Sequence, residues 1–218
     1  MKLTRKIYQQ MKENYRFLLF IALMLVFRSA VADWNSVPTG SMKPTIVEGD
    51  RILVNKMAYD LRLPFTHISL FKLSDPQRGD IVIFDSKVSD IRLVKRVVGL
   101  PGDRVAMRDN VLSINGRELD YKNLGQPESR ADKIEYLPGT EHRIRVQGNG
   151  SQLSSFPQVI VPEGHYLVLG DNRDNSSDSR VIGFVPRNEI VGRAKTVVMS
   201  FDYDNYYLPR SKRYLHTL

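Results

Sequence analysis

Beyond residue 45 the chain alternates short β-branched runs with turn signals. The runs are Arg51–Asn55, Asp80–Phe84, Ile91–Val98, Val111–Ile114, His142–Val146, Val159–Val161, Tyr166–Leu169 and Thr196–Phe201. Between them stand Glu48-Gly49-Asp50, Arg78-Gly79-Asp80, Pro101-Gly102-Asp103, Asn115-Gly116, Gly148-Asn149-Gly150 and Glu163-Gly164. Many short strands at this spacing predict a mainly β fold with sandwich or barrel character. Asn115-Gly116 between apolar runs predicts a hairpin over Val111–Leu119. Residues 120–158 are more polar, rich in Gly, Ser and Gln, and predict an inserted, partly extended β sub-domain. No internal repeat is present.

The one strongly apolar run lies upstream. Residues 1–16 carry Lys2, Arg5, Lys6, Lys12 and Arg16 against a single acid, Glu13, and Phe17–Phe27 follows without a polar residue. Those 11 residues are short for a membrane span of about 20. Extended to Trp34 the stretch reaches 18, with Arg28 inside it. A long Arg near a helix end can reach the headgroups, and Trp34 falls where interfacial aromatics collect. Two readings compete: a retained signal anchor over 17–34, or a cleavable signal peptide with Ala30-Val31-Ala32 before Asp33. Arg28 between the apolar run and that site favours the anchor. The basic flank orients the N-terminus to the cytoplasm and the chain after Trp34 outward under either reading. The division predicted is a cytoplasmic basic segment (1–16), the anchor (17–34), a core in two parts (35–119 and 159–207) around the insertion, and a basic tail (208–218).

Composition narrows the chemistry. The 218 residues are 42% hydrophobic, enough for a real core, and carry a formal charge of +8. A positive balance fits a nucleic-acid binder or a protein beside an anionic membrane. Aromatics are not interleaved with basic runs, which favours the membrane or a solvated surface. There is no cysteine, so disulfides and thiolate chemistry are excluded. His67, His142, His165 and His216 are far apart in sequence, and no metal or cofactor is expected.

Three stretches carry candidate chemistry. In Val37-Pro38-Thr39-Gly40-Ser41-Met42-Lys43-Pro44-Thr45, two prolines stiffen a turn and Gly40 opens the approach to Ser41, as a nucleophile needs. An ordinary Pro/Gly/Ser turn has the same composition. In Ile91–Val98, strand alternation puts Ile91, Leu93, Lys95 and Val97 on one face, with Arg92 and Arg96 on the other. A lysine in an apolar row escapes the cost of a buried charge by losing its proton, and a neutral lysine is a base for a serine hydroxyl. Lys56 and Lys43 remain rivals, because spacing does not choose among the three. Gly170–Arg180 is dense in donors and acceptors and fails an EF-hand frame, which leaves an internally bonded brace or a solvated turn.

Together these stretches resemble the bacterial type I signal peptidases, the membrane-anchored leader peptidases. The resemblance runs through Pro38–Thr45, Gly49–Lys56, Arg78–Val82, Lys95–Asp103 and Gly170–Arg180, in the family's order. It implies an antiparallel β-sheet catalytic domain and a serine–lysine dyad, with Ser41 as nucleophile and Lys95 as general base. The oxyanion hole is implied to be the Ser41 N–H and the Thr39 hydroxyl, where the family often has serine. Ser176 aligns with a hydroxyl that holds the lysine amine, and Asp178 and Arg180 with a supporting ion pair. Implied partners are exported preproteins, cut after A-x-A-like sites, with the bilayer and the translocation machinery alongside and no nucleic acid. The implied place is the bacterial inner membrane, single-pass, with the catalytic domain on the periplasmic side. Substrate would add as a β-strand over shallow pockets of Val37, Met42, Ile46, Leu93 and Val94. Met42, Tyr203, Tyr206 and Tyr207 are expected to touch lipid and Arg210, Lys212 and Arg213 to meet headgroups; a frayed basic tail over 208–218 is the plainer expectation. The rivals are an SOS-type self-cleaving protein, which needs a DNA-binding helix-turn-helix where this chain has its apolar run, and an inactive tethered β-domain that binds exported peptides.

Overall fold

The computed structural model describes residues 12–66, 68–125 and 130–218, so most of the basic segment expected over 1–16, and His67, lie outside the described residues. The first described helix is Tyr15–Ala30, 16 residues long. It is apolar on all sides, with Phe17, Leu19, Phe20, Leu23 and Phe27 exposed. Among the described residues no helix is long and apolar enough to cross a membrane. The stretch expected as one span over 17–34 is therefore divided: the helix stops at Ala30, and Ala32–Ser36 is a strand. The polar residues past Ala30 explain the stop. Asp33 accepts from Arg28 Nε at 2.7 Å, and the Arg28 guanidinium lies 4.9 Å from the Trp34 ring centroid. Lys56 Nζ donates to the freed carbonyls of Arg28 and Ser29 at 2.9 and 3.3 Å, which caps the helix end.

The main sheet runs, in spatial order, Ala32–Ser36, Asp50–Asn55, Ile190–Asp202, Ile81–Ser86, Ile91–Gly99, His165–Leu169 and Val185–Pro186. Its neighbours all pair antiparallel. One row of paired residues crosses five strands: Ala32, Asn55, Arg193, Val82 and Lys95. One face buries Val37, Met42, Ile46, Ile52, Val54, Ile81, Ile83 and Val197. Tyr59, Val82, Phe84, Val97, Val168 and Ile190 form a second cluster. Strands such as Ile81–Ser86 are buried along nearly their whole length, which is why they read as continuous apolar runs.

The departure from the main sheet begins earlier than residue 120. Arg104–Arg108, Val111–Ile114 and Arg117–Glu118 form a second sheet with Phe156–Ile160, and Asp120–Asn123, Arg130–Leu137 and Thr140–Gln147 a third. The sequence concealed this because Val105, Met107, Leu112 and Ile114 pack against Val98, Leu167 and Leu169 of the main sheet, giving all these strands the same apolar pattern. Asn115 and Gly116 turn the expected hairpin with φ of 54° and 82°.

The C-terminal residues are not a frayed tail. Leu208–Pro209 and His216–Thr217 both pair with Ile190–Asp202. Arg210 and Arg213 turn inward: Arg210 donates to Glu48 O at 2.8 Å, and Arg213 Nε to Asp50 Oδ1 at 2.9 Å and Nη2 to Thr45 O at 2.9 Å. Arg213 grips the buried Asp50 carboxylate and Arg210 pairs with Asp202 at 3.1 Å, charge-assisted bonds that hold the segment to the sheet.

Candidate active site

The Ser41 loop crosses from the first strand to the second. Its ends are closed by Val37 N–H on Asp50 O at 2.9 Å and Gly49 N–H on Val37 O at 3.1 Å. Met42 and Ile46 plug it into the core at 1% and 0% exposure. Thus Val37, Met42 and Ile46, expected to line substrate pockets, are core anchors of the loop, and Met42 is not at a lipid surface. Val94 borders the same cluster, whereas Leu93 packs on the opposite one. The flanking apolar residues stabilise a loop that has no regular ladder of its own.

Lys95 Nζ lies 2.8 Å from Ser41 Oγ, and its second partner is Val94 O at 3.1 Å. The rivals point elsewhere. Lys56 caps the helix, and Lys43 pairs with Glu48 at 2.6 Å. Lys95 is 2% exposed. Burial brings its ammonium down to about 8, with Arg180 helping and the carboxylates of Asp178 and Asp171 opposing. The Ser41 N–H has no acceptor among the described residues, and Thr39 is exposed beside it in sequence with its hydroxyl likewise unpaired.

The loop Gly170–Arg180 is a brace. Gly170 N–H donates to Asp178 Oδ2 at 2.9 Å, and Arg180 grips the same carboxylate at 2.8 and 2.6 Å. A Cβ at Gly170 would lie 2.5 Å from Ser41 O and 2.2 Å from Ser176 Oγ, so only glycine allows this approach. The Ser176 hydroxyl, expected on the lysine amine, makes no hydrogen bond among the described residues although it is buried. The amine is directed to Ser41 Oγ and Val94 O instead.

Several supporting residues were not singled out from sequence. Asn172 holds the backbone around Ser41, its N–H on Ser41 O at 3.0 Å and its Nδ2 on Gly40 O at 2.9 Å. Arg96 is buried in a two-pronged pair with Asp171, at 2.9 and 2.8 Å, and Thr45 Oγ1 donates to the same carboxylate at 2.5 Å. Burial pushes the Asp171 carboxyl up, but the guanidinium wins and holds it below the usual range. Alternation correctly separates Arg96 from Lys95 but cannot say that the other face is dry. Behind this pair stand Glu135 and Arg173, both fully buried and ion-paired, and His142, with its Nε2 3.3 Å from Glu135. Burial, aided by Arg96, lowers His142 to about 4, so it is neutral near pH 7. The third sheet therefore supports the Gly170–Arg180 loop from behind, a coupling across 38 positions in sequence that no local motif signals.

The sequence has known relatives. Residues 11–199 match the family described as signal peptidase, peptidase S26. Signal peptidase I of Pseudomonas aeruginosa is 40% identical over 195 residues, covering 82% of this chain and 69% of its own. Signal peptidase I of Rickettsia typhi is 36% identical over 220 residues, covering 90% and 82%. A crystal structure of a signal peptidase I from Enterococcus faecalis aligns over 56% of this chain and 98% of that one, with 32% identity and a TM-score of 0.38.

Proposed function

The chain belongs to the signal peptidase family, peptidase S26, and on that footing we propose that it is a serine endopeptidase removing signal peptides from exported preproteins. The observation that carries the reading is the buried Lys95 amine 2.8 Å from Ser41 Oγ. With the amine neutral, Lys95 takes the Ser41 hydroxyl proton as the oxygen attacks the scissile carbonyl. The oxyanion settles on the Ser41 N–H and the Thr39 hydroxyl. The ammonium then returns its proton to the leaving amine, releasing the mature protein and leaving an acyl-serine. Lys95 next deprotonates a water that attacks the ester and frees Ser41. Asn172, Gly170 and the Asp178–Arg180 pair fix the two reactive groups relative to each other.

Substrate adds as an extended strand along Ile91–Lys95, short of the residues paired with His165–Leu169, beside the segment that runs into Ser41, with small residues at alternate positions before the cut. Val94, at the edge of the core, is the residue best placed among those expected to contact it. The apolar helix Tyr15–Ala30 anchors the enzyme in the bacterial inner membrane. Its exposed Phe and Leu side chains on every side need a non-aqueous surrounding. The catalytic domain faces the periplasm, where precursors emerge beside the translocation machinery.

The test is cleavage of a preprotein bearing an A-x-A site by the purified full chain. Ser41→Ala and Lys95→Met should abolish it, and Lys56→Met should not. Near-normal cleavage by Lys95→Met would remove the base assignment.

A further inference from the structure

A hairpin beside the helix end is unusual for a soluble surface. Asp60–Arg62 pairs with Ser69–Lys72, and the turn between them projects outward. Leu63, Phe65, Ile68, Leu70, Phe71 and Leu73 are all exposed, Phe65 at 69% and Phe71 at 67%. The exposure includes successive residues of Ser69–Lys72, so neither face of that strand is covered, whereas Asp60 and Arg62 of its partner are buried and hold the ribbon to the domain. Phe65 is held at a φ of 62°, an unfavourable conformation for a bulky residue.

The described amides of the turn all have partners. Leu63 N–H donates to Ile68 O at 3.0 Å, and Thr66 N–H to Leu63 O at 3.2 Å. Ile68 N–H donates to Thr66 Oγ1 at 3.2 Å, and Pro64 has no N–H. Phe65 N–H donates to Ser29 Oγ at 2.6 Å, on the last turn of the apolar helix. Among the described residues 63–68, no amide is left for water. Paired amides lower the cost of setting the turn at the edge of a hydrocarbon layer, where the carbonyls of Pro64, Phe65 and Thr66, without partners among the described residues, stay at headgroup level.

We propose that the 63–73 ribbon is a second membrane contact, lying in the bilayer interface with Phe65 and Phe71 among the acyl chains next to the helix exit. The proposal rests on the reading of Tyr15–Ala30 as a membrane anchor. Three observations select lipid as the occupant. The ribbon is bonded directly to the anchor through Phe65 and Ser29. No acid lies between residues 61 and 73, and Lys72, exposed while it pairs with Asp75 at 2.6 Å, leaves the ribbon without a free negative charge to repel an anionic surface. The ribbon is also rigidly aimed, because Asp60 at its base is locked by Arg62 at 3.2 Å and by Arg187 at 2.8 Å. The C-terminal Tyr206 and Tyr207 are exposed as well, but they lie beyond the Asp50 end of the second strand, away from the helix exit at its Asn55 end.

The experiment uses the full chain in phosphatidylcholine–phosphatidylglycerol vesicles whose acyl chains carry bromine, a contact quencher of indole fluorescence. Trp34, the single tryptophan, is changed to Phe, and one reporter is introduced at a time: Phe65→Trp, or Phe20→Trp in the helix. Both reporters should lose most of their emission. Quenching of Phe20→Trp alone would overturn the ribbon contact and leave the anchor standing. Quenching of neither would overturn the anchor and the ribbon together. If Phe65→Trp were shielded only at high protein-to-lipid ratio, alongside cross-linked dimers, the occupant would be a second copy and the proposal would fall. As a functional arm, Phe65→Glu with Phe71→Glu should slow preprotein cleavage in vesicles several-fold and leave cleavage of a short soluble peptide in detergent unchanged. Equal rates in vesicles would overturn it too.

Discussion

Replacing Lys95 with methionine should make the protein more stable near neutrality while destroying its activity. The native amine titrates at about 8 and the exposed one at 10.5. Between those values the unfolded chain binds more protons than the native one, so wild-type stability rises with pH there. Below pH 8 the full cost of charging a dry amine is present, about 3 kcal/mol for that separation of pKa values. Above 10.5 it is gone. Methionine keeps the length of the stem and removes the charge, at the loss of a hydrogen bond to Ser41 worth about 1 kcal/mol. Lys95→Met should therefore exceed wild type by about 2 kcal/mol at pH 7, and the advantage should vanish by about pH 10. Urea unfolding of the detergent-solubilised chain at the two pH values measures it. The same titration governs wild-type catalysis: kcat/KM should rise about tenfold from pH 7 to pH 9, as the neutral amine becomes the major form. A stability difference that ignores pH, or a rate inflection near 10.5, would refute an amine tuned by burial.

Other outcomes follow from the same geometry. Thr39→Val should cost about 10²–10³ in kcat with little change in KM, and Thr39→Ser should retain activity, because the hydroxyl acts on the oxyanion. Gly170→Ala should lower kcat and Tm together, since its methyl would be driven to within 2.5 Å of Ser41 O; a melting curve alongside the cleavage assay checks this. Arg213→Ala leaves Asp50 buried without its bidentate partner and should cost about 3 kcal/mol in urea unfolding, with kcat falling as the Ser41 loop loosens.

The central strands were legible because Asp50–Asn55, Ile81–Ser86, Ile91–Gly99 and Ile190–Asp202 each carry a β-branched run, and Asn115-Gly116 marks its hairpin outright, whereas short strands such as Asp60–Arg62 and Asp120–Asn123 carry none. The apolar row around Lys95 was visible in one strand, and distance alone was needed to separate it from Lys56 and Lys43. What lay hidden were the relations between distant elements. Arg96 reads as a solvated strand arginine until Asp171 arrives from 75 residues away. Arg210 and Arg213 look like a loose basic end until Asp50 and Glu48 are placed under them. Val37, Met42 and Ile46 flank the nucleophile in sequence, which suggests pockets, yet the loop needs them as ballast in the core. The end of the first helix was misjudged for a related reason: Ala32–Ser36 is short and unremarkable in composition, and only its partner strand makes it a strand.

The row from Ala32 through Asn55, Arg193 and Val82 to Lys95 gives the enzyme a ruler. Four strand spacings, about 19 Å, separate the point where the chain leaves the helix from Lys95. Nothing in that path is a tether. If the helix sits in the bilayer, the reach from its exit to Lys95 is set by a stiff lattice of paired strands, and a precursor whose peptide bond falls outside that reach would escape cutting whatever its residues.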